Sequence, residues 1–266
     1  MDDKRRYFIV TTGRTGSTFL SAALASAGAN FAMPVPETWE PNSGDLEHDD
    51  VKKAGVLLGQ ADNISPTVPG NFFTLALWRI YQRRGWHALG RALEAAQFVK
   101  GSVLMVQPAV YLGFEPTVIL NYRRLETQIA SQLVRSKYET ADYLTANYIR
   151  VLRNGLAAVR VFGGCVVAYE DMQDPANDRW IEALSQVTGL DAAPMIAFRN
   201  KSLRANKPDP AMPSLSREAE LLWEEAQAMR GMAFAPLRQA SRAVQNRAER
   251  IGGAADAPVA RLARGQ

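Results

Sequence analysis

Residues 8–20, FIVTTGRTGSTFL, place a short apolar run directly before a loop of small polar residues and an amphipathic run. This layout predicts a strand, an anion-binding loop and a helix whose N-terminus faces the anion. Gly13 and Gly16 allow backbone N–H groups to turn toward a ligand, and Arg14 adds a planar cation. Three hydroxyl side chains of the loop can donate further hydrogen bonds: Thr15, Ser17 and Thr18. We therefore predict a phosphate- or sulfate-binding loop at residues 13–18; the alternative is an ordinary capped strand-to-helix turn.

The loop departs from two common nucleotide-binding loops. A Walker A loop ends in Gly-Lys-Ser/Thr, whereas Gly16 is followed by Ser17 and the cation stands earlier, at Arg14. The Gly-x-Gly-x-x-Gly pattern of dinucleotide sites also fails, because Thr15 intervenes and Thr18 follows. The residues favour an anion site without the lysine that a nucleoside triphosphatase uses.

Length and composition indicate one ordinary globular domain. The chain has 266 residues, of which 47% are apolar and 22% charged, enough for a large core in a single α/β domain. Its one cysteine, Cys165, excludes an internal disulfide and is compatible with a reducing cytoplasm. The N-terminal apolar run is too short for a signal peptide, and no apolar run is long enough for a membrane span. We expect a cytoplasmic protein, and the sequence leaves its oligomeric state open.

The C-terminal segment is strongly basic. Residues 234–266 contain six arginines against two acidic residues, so this segment carries a net charge equal to the +4 of the whole chain. We predict a single domain over residues 1–232, followed by a basic helix and a frayed tail over residues 233–266. No aromatic residues interleave with the arginines, so nucleic acid is not an expected partner.

Short apolar runs alternate with amphipathic segments along the chain. Predicted strands cover residues 7–12, 117–122 and 165–169, with a further short apolar run at 103–106. Predicted helices cover residues 18–27, 72–84, 86–98, 125–138, 141–162, 178–188 and 216–229, while 31–62 is expected to be mainly loop. This alternation predicts an α/β fold, a central parallel sheet flanked by helices, with ligands bound at the carboxyl ends of its strands.

A second strand-to-helix junction follows about a hundred residues after the first, in the segment VILNYRRLETQIAS. Arg123 ends the strand, and Ser131 lies about two turns into the helix. A planar guanidinium binds phosphate bidentately, and a serine can donate beside it. Arg124 is the alternative if the strand ends one residue later.

Three segments together resemble the PAPS-dependent sulfotransferases: TTGRTGST, Arg123 with Ser131, and VVAYEDMQDP at 166–175. The resemblance covers residues 7 to about 190 and implies a P-loop-like sulfotransferase fold. It implies that Arg14, Thr15, Gly16, Ser17 and Thr18 hold the 5′-phosphosulfate, and that Arg123 and Ser131 hold the 3′-phosphate. The cofactor would be PAPS, the product PAP, and no metal would be needed.

The resemblance also bears on the catalytic base. Many members use a histidine before the second junction, where this chain has Gln107, which cannot accept a proton. The segment MPVPETW is similar to bacterial glycolipid (trehalose-type) sulfotransferases, in which a glutamate here is the base; this implies Glu37, although Thr38 replaces an aromatic residue. Glu40 and His48 are the alternatives. The acceptor would be a sugar, glycolipid or small metabolite, bound in an apolar-walled cleft built from residues 31–86.

A late basic segment, RNKSLRANK at 199–207, is the counterpart of the family's loop over the 3′-phosphate, with Arg204 as the expected contact. The usual Arg-Lys-Gly-x-x-Gly signature is absent, and a solvated charge run is the alternative. The sequence thus predicts a PAPS-dependent sulfotransferase. A P-loop kinase with a divergent loop and a non-catalytic PAP-binding protein remain the competing hypotheses.

Overall fold

A five-stranded sheet runs through the centre of the fold in the computed structural model, which describes residues 4–33, 47–64, 72–134, 140–202 and 216–237. The strands are β1 (Arg5–Thr11), β2 (Phe98–Gly101), β3 (Glu115–Tyr122), β4 (Gly164–Ala168) and β5 (Ala233–Phe234). Their order is β2-β1-β3-β4-β5; the first four run parallel, and β5 is antiparallel to β4. The sheet thus includes two residues beyond position 232.

Ten α-helices of the described residues surround the sheet. They are α1 (Ser17–Ser26), α2 (Asp49–Asn63), α3 (Phe72–Ala95), α4 (Val106–Tyr111), α5 (Leu125–Leu133), α6 (Ala141–Phe162), α7 (Tyr169–Gln173), α8 (Arg179–Thr188), α9 (Ala192–Ser202) and α10 (Arg217–Met229). A short 3₁₀ turn, Val103–Met105, precedes α4. None of these helices combines the length and apolarity that crossing a bilayer requires.

The helices form a layer on each face of the sheet. Alternate residues of β1 point to opposite faces: Phe8 and Val10 pack in one core cluster with residues of α2, α3, α4, α5, α6 and α10. Tyr7 and Ile9 pack in the other cluster with residues of α1, α8 and α9. The predicted α/β fold, with a mostly parallel sheet flanked by helices, is therefore confirmed.

Two of the predicted elements are wrong, for identifiable reasons. The segment expected to be loop contains α2, whose buried Val51, Ala54, Leu58 and Ala61 follow a helical period. The two helices expected on either side of Gly85 are one helix, α3. A Cβ at Gly85 would lie 2.9 Å from Leu58 Cγ, so this glycine allows α2 and α3 to pack closely and does not end a helix.

Other differences concern short elements. Phe98, expected to end a helix, begins strand β2, and the remaining strand residues 99–101 were not predicted. The apolar run at 103–106 forms the 3₁₀ turn and the start of α4. Helix α9 was not predicted, and it includes the start of the segment expected to be a late basic loop.

The strand order creates a crevice at the carboxyl end of β1. The chain leaves β1 toward β2 on one side, and β3 then pairs with the other side of β1. In open parallel sheets such a reversal leaves a gap between the outgoing loops, and ligands bind there. The loop after β1 and the junction after β3 both lie at this edge, where Thr11 and Asn121 are neighbours in register.

Candidate anion-binding site

The loop between β1 and α1 has an unusual backbone. Gly13, Arg14 and Gly16 have φ angles of 89°, 52° and 73°, all in the left-handed region. Left-handed residues in a tight turn direct N–H groups into a concave surface that binds anions. For Arg14 this conformation costs about 1–2 kcal/mol, because an L side chain crowds its own carbonyl. Strain of this kind concentrates at functional sites.

Buried hydroxyl groups hold the loop in place. Thr15 is fully buried, and its hydroxyl donates its one proton to Asn121 Oδ1. In the 2.6 Å bond between the Thr11 and Thr15 hydroxyls, Thr11 is therefore the donor. The Thr11 hydroxyl also accepts the Gly13 N–H at 3.0 Å. The Thr15 side chain therefore binds the fold internally, and its expected contribution to a ligand is limited to its backbone.

A second link joins the loop to α5. Thr12 Oγ1 donates to Gln128 Oε1, and Gln128 Nε2 donates to the Thr12 carbonyl, both at 2.6 Å. Both residues are buried, so the pair fixes the loop against the helix that follows β3. Sequence analysis did not identify Gln128, because nothing in its local pattern separates it from an ordinary helical residue.

The N-terminus of α1 opens onto this loop. Gly16 is its N-cap and, being a glycine, provides no side-chain oxygen to cap the first N–H groups of the helix. The first turn has no acidic residue, so the positive end of the helix dipole is not neutralised there. Ser17 is buried and Thr18 half-buried at this end of the helix.

Lys100 adds a cation that sequence analysis missed. It lies in β2 with 5% of its surface exposed; its Nζ donates to Thr18 Oγ1 at 3.2 Å and lies 3.2 Å from a Glu47 carboxylate oxygen. A buried lysine is almost always paired with an anion, and in the described structure Glu47 is that partner. The one available signal is a lysine within a short apolar segment, FVKG, for which the sequence predicts no element beyond the helix end at Phe98.

Arg14 and Ser131 meet across the loop. The exposed Arg14 donates through Nε to Ser131 Oγ at 3.3 Å. Ser131, expected beside Arg123 on the 3′-phosphate, thus accepts a hydrogen bond from Arg14, and its pairing with Arg123 on a ligand stays a prediction. Ser131 lies on α5, so this bond again connects the two strand-to-helix junctions.

Arg123 lies against the ring of Tyr169. Its Cζ is 4.1 Å from the ring centroid, a cation–π geometry. The same ring packs against the first loop, so closely that a Cβ added at Gly16 would lie only 2.8 Å from Tyr169 Cδ2. Tyr169 therefore brings Arg123 and the N-terminus of α1 into one site.

Glu170 binds the backbone beside Arg123. Its Oε1 accepts the Arg124 N–H at 3.2 Å. Burial raises the pKa of Glu170 above its usual range; the backbone N–H groups of Glu170 and Arg124, and the Arg123 and Arg230 charges, oppose the shift without cancelling it. Arg124, the alternative to Arg123, has a largely exposed side chain that pairs with Glu126.

The remaining predicted residues lie elsewhere. Glu37, Glu40 and Arg204 are outside the described residues. His48 is the N-cap of α2, where its Nδ1 accepts the Asp50 N–H at 3.2 Å, which is a structural role. Arg199, expected in the late basic loop, is buried in α9 and pairs with Asp178.

Among the described residues, no group of three or more His, Cys, Asp or Glu side chains is arranged to hold a metal ion. Comparison with protein-family models, curated proteins and solved structures finds no match to this chain.

Proposed function

We propose that the protein is a PAPS-dependent sulfotransferase with a P-loop-like fold, acting in the cytoplasm on an acceptor hydroxyl. The observation that carries the proposal is the pairing of two cationic positions at the switch point of the sheet. One is the α1 N-terminus with Arg14 and Lys100; the other is Arg123, held beside it by Tyr169. PAPS has a phosphosulfate at one end and a 3′-phosphate at the other, so it needs two such positions.

The first position suits the phosphosulfate. Backbone N–H groups of a left-handed loop, a helix N-terminus and a buried lysine all favour an anion that has lost its water. In the reaction, the acceptor oxygen attacks sulfur in line, the bond from sulfur to the bridging oxygen breaks, and PAP leaves. Negative charge develops on that bridging oxygen, where Arg14, Lys100 and the loop N–H groups would stabilise it. One such donor contributes about 3 kcal/mol.

The acceptor proton requires a base within hydrogen-bond distance. Glu37 is proposed for this role on the resemblance alone. The nature of the acceptor, a sugar, a glycolipid or a small metabolite, follows from the same resemblance and is part of the proposal.

Transfer of ³⁵S from labelled PAPS to a metabolite or lipid extract tests the activity. We expect labelled product with the wild type, a loss of about 100-fold in kcat for Arg14→Ala, and no product for Glu37→Gln. Arg5→Ala is the matched control, because this exposed arginine lies at the amino end of β1, away from the carboxyl end where the site lies.

The competing hypotheses give different results. PAP binding without any transfer by the wild type would indicate a non-catalytic binding protein. Magnesium-dependent transfer of phosphate from ATP would indicate a kinase and overturn the proposal.

A further inference from the structure

Tyr169 has contacts on two sides that the proposed reaction does not yet use. Its ring lies under the Arg123 guanidinium at 4.1 Å, and its edge faces Gly16 at the start of α1. Met172, one turn later in α7, packs beside the same glycine, since a Cβ there would lie 3.1 Å from Met172 Cε. The ring is thus confined between the loop and the arginine.

The backbone around Arg123 is fixed independently of this ring. Tyr148 donates its hydroxyl proton to the Arg123 carbonyl at 3.1 Å, and Glu170 accepts the Arg124 N–H at 3.2 Å. These bonds set where the Arg123 side chain begins. The direction of its guanidinium then depends on side-chain contacts, among which the Tyr169 ring is the planar surface beneath it.

Helix α7 itself is anchored. The buried Asp171 accepts hydrogen bonds from Arg230 Nε at 2.7 Å and from Asn177 Nδ2 at 2.6 Å. The Tyr169 ring therefore projects from a fixed base. Arginine has many rotamers, and a stacked guanidinium has already lost most of that freedom before a ligand binds.

We propose that Tyr169 is a positioning residue that presents Arg123 to the 3′-phosphate and thereby sets the preference for 3′-phosphorylated nucleotides. This inference depends on the proposed function, because it assumes that Arg123 binds that phosphate. It adds that the selectivity resides in the ring as well as in the charge. A ring that served only to pack on Gly16 would affect stability but not the choice of nucleotide.

The test is the ratio of the affinities for PAP and adenosine 5′-phosphate, measured by calorimetry on the full chain. The two ligands differ only in the 3′-phosphate, so contacts of Tyr169 with the rest of the nucleotide cancel in the ratio. We expect Tyr169→Phe to keep the wild-type ratio, because the ring remains. Tyr169→Leu should lower it about threefold to thirtyfold, the range of a cation–π contact.

A double-mutant cycle shows whether the effect passes through Arg123. In an Arg123→Ala background, Tyr169→Leu should leave the ratio unchanged. A wild-type ratio in Tyr169→Leu, or an equal loss with and without Arg123, would overturn the inference.

Fluorinated phenylalanines at position 169 make the test independent of folding. They keep the ring's shape but weaken the negative charge on its face, so the ratio should fall as fluorine atoms are added. A ratio independent of fluorination would overturn the inference while leaving the proposed function intact. If the wild type itself does not prefer PAP, the 3′-phosphate assignment fails, and the proposed function fails with it.

Discussion

Replacing Gly16 by alanine tests the close contact that joins the two halves of the site. Gly16 has φ 73° and ψ 18°, and a Cβ there would lie 2.8 Å from the Tyr169 ring. A left-handed alanine costs about 1–2 kcal/mol through its own backbone. Displacing the ring adds about 1–3 kcal/mol, the usual range for overpacking.

Gly189 provides a matched control. It has φ 74° and ψ 8° at the end of α8, and a Cβ there meets no described atom within 4 Å. Gly189→Ala therefore has the backbone cost alone. The difference between the two variants should be the overpacking contribution, about 1–3 kcal/mol in the free energy of unfolding.

Urea denaturation of both variants measures this difference, provided that their m values agree. Equal destabilisation of Gly16→Ala and Gly189→Ala would refute the contact between Gly16 and Tyr169. It would also remove the structural basis for a single site built from both junctions.

Three further predictions concern charges and the buried thiol. Glu170→Gln should raise the free energy of unfolding at pH 7, because the raised pKa of Glu170 makes its ionised form unfavourable in the fold. In urea titrations at several pH values, this gain should disappear as the pH falls through the usual glutamate value near 4.5. A gain that does not depend on pH would contradict the prediction. Glu47→Gln should raise the affinity for PAP about two- to fivefold, because it removes the carboxylate beside Lys100. The control variant Glu115→Gln, at the amino end of β3, should leave the affinity unchanged. Calorimetric titration measures both, and equal effects of the two variants would contradict the prediction. Burial raises the pKa of Cys165 to about 12, so a chromogenic thiol reagent at pH 8 should label it only on unfolding; rapid labelling of the native protein would contradict this.

The sequence predicted the elements whose local pattern and tertiary role agree. Strands β1, β3 and β4 each contain a short continuous apolar run, because both faces of the parallel sheet are covered. Helices α6, α8 and α10 were predicted close to their observed bounds, since each has a regular apolar face.

The failures come from glycines and short elements. Gly55 and Gly85 resemble helix breakers in the sequence, but in the fold they allow close packing, with a Cβ at Gly55 3.0 Å from Met105 Cε. Strand β2 has only four residues and includes a lysine, so no periodic signal marks it.

The site was predicted in outline only. The anion loop and Arg123 could be found because they follow strands that the sequence identifies. Lys100 and Tyr169 could not be assigned to the site, since their contacts with Thr18 and Gly16 depend on how distant elements pack. The internal role of the Thr15 hydroxyl likewise depends on Asn121, which lies 106 residues away.

The most direct test of the two-anion site is calorimetric titration of the wild-type protein, without added metal, with PAP and adenosine 5′-phosphate. A charge-assisted bond to a 3′-phosphate is worth about 1.5–3 kcal/mol, so PAP should bind about 10- to 150-fold more tightly. A parallel titration with ATP and magnesium should show weaker binding than PAP. Equal affinities for PAP and adenosine 5′-phosphate, or tighter binding of ATP with magnesium, would contradict the account.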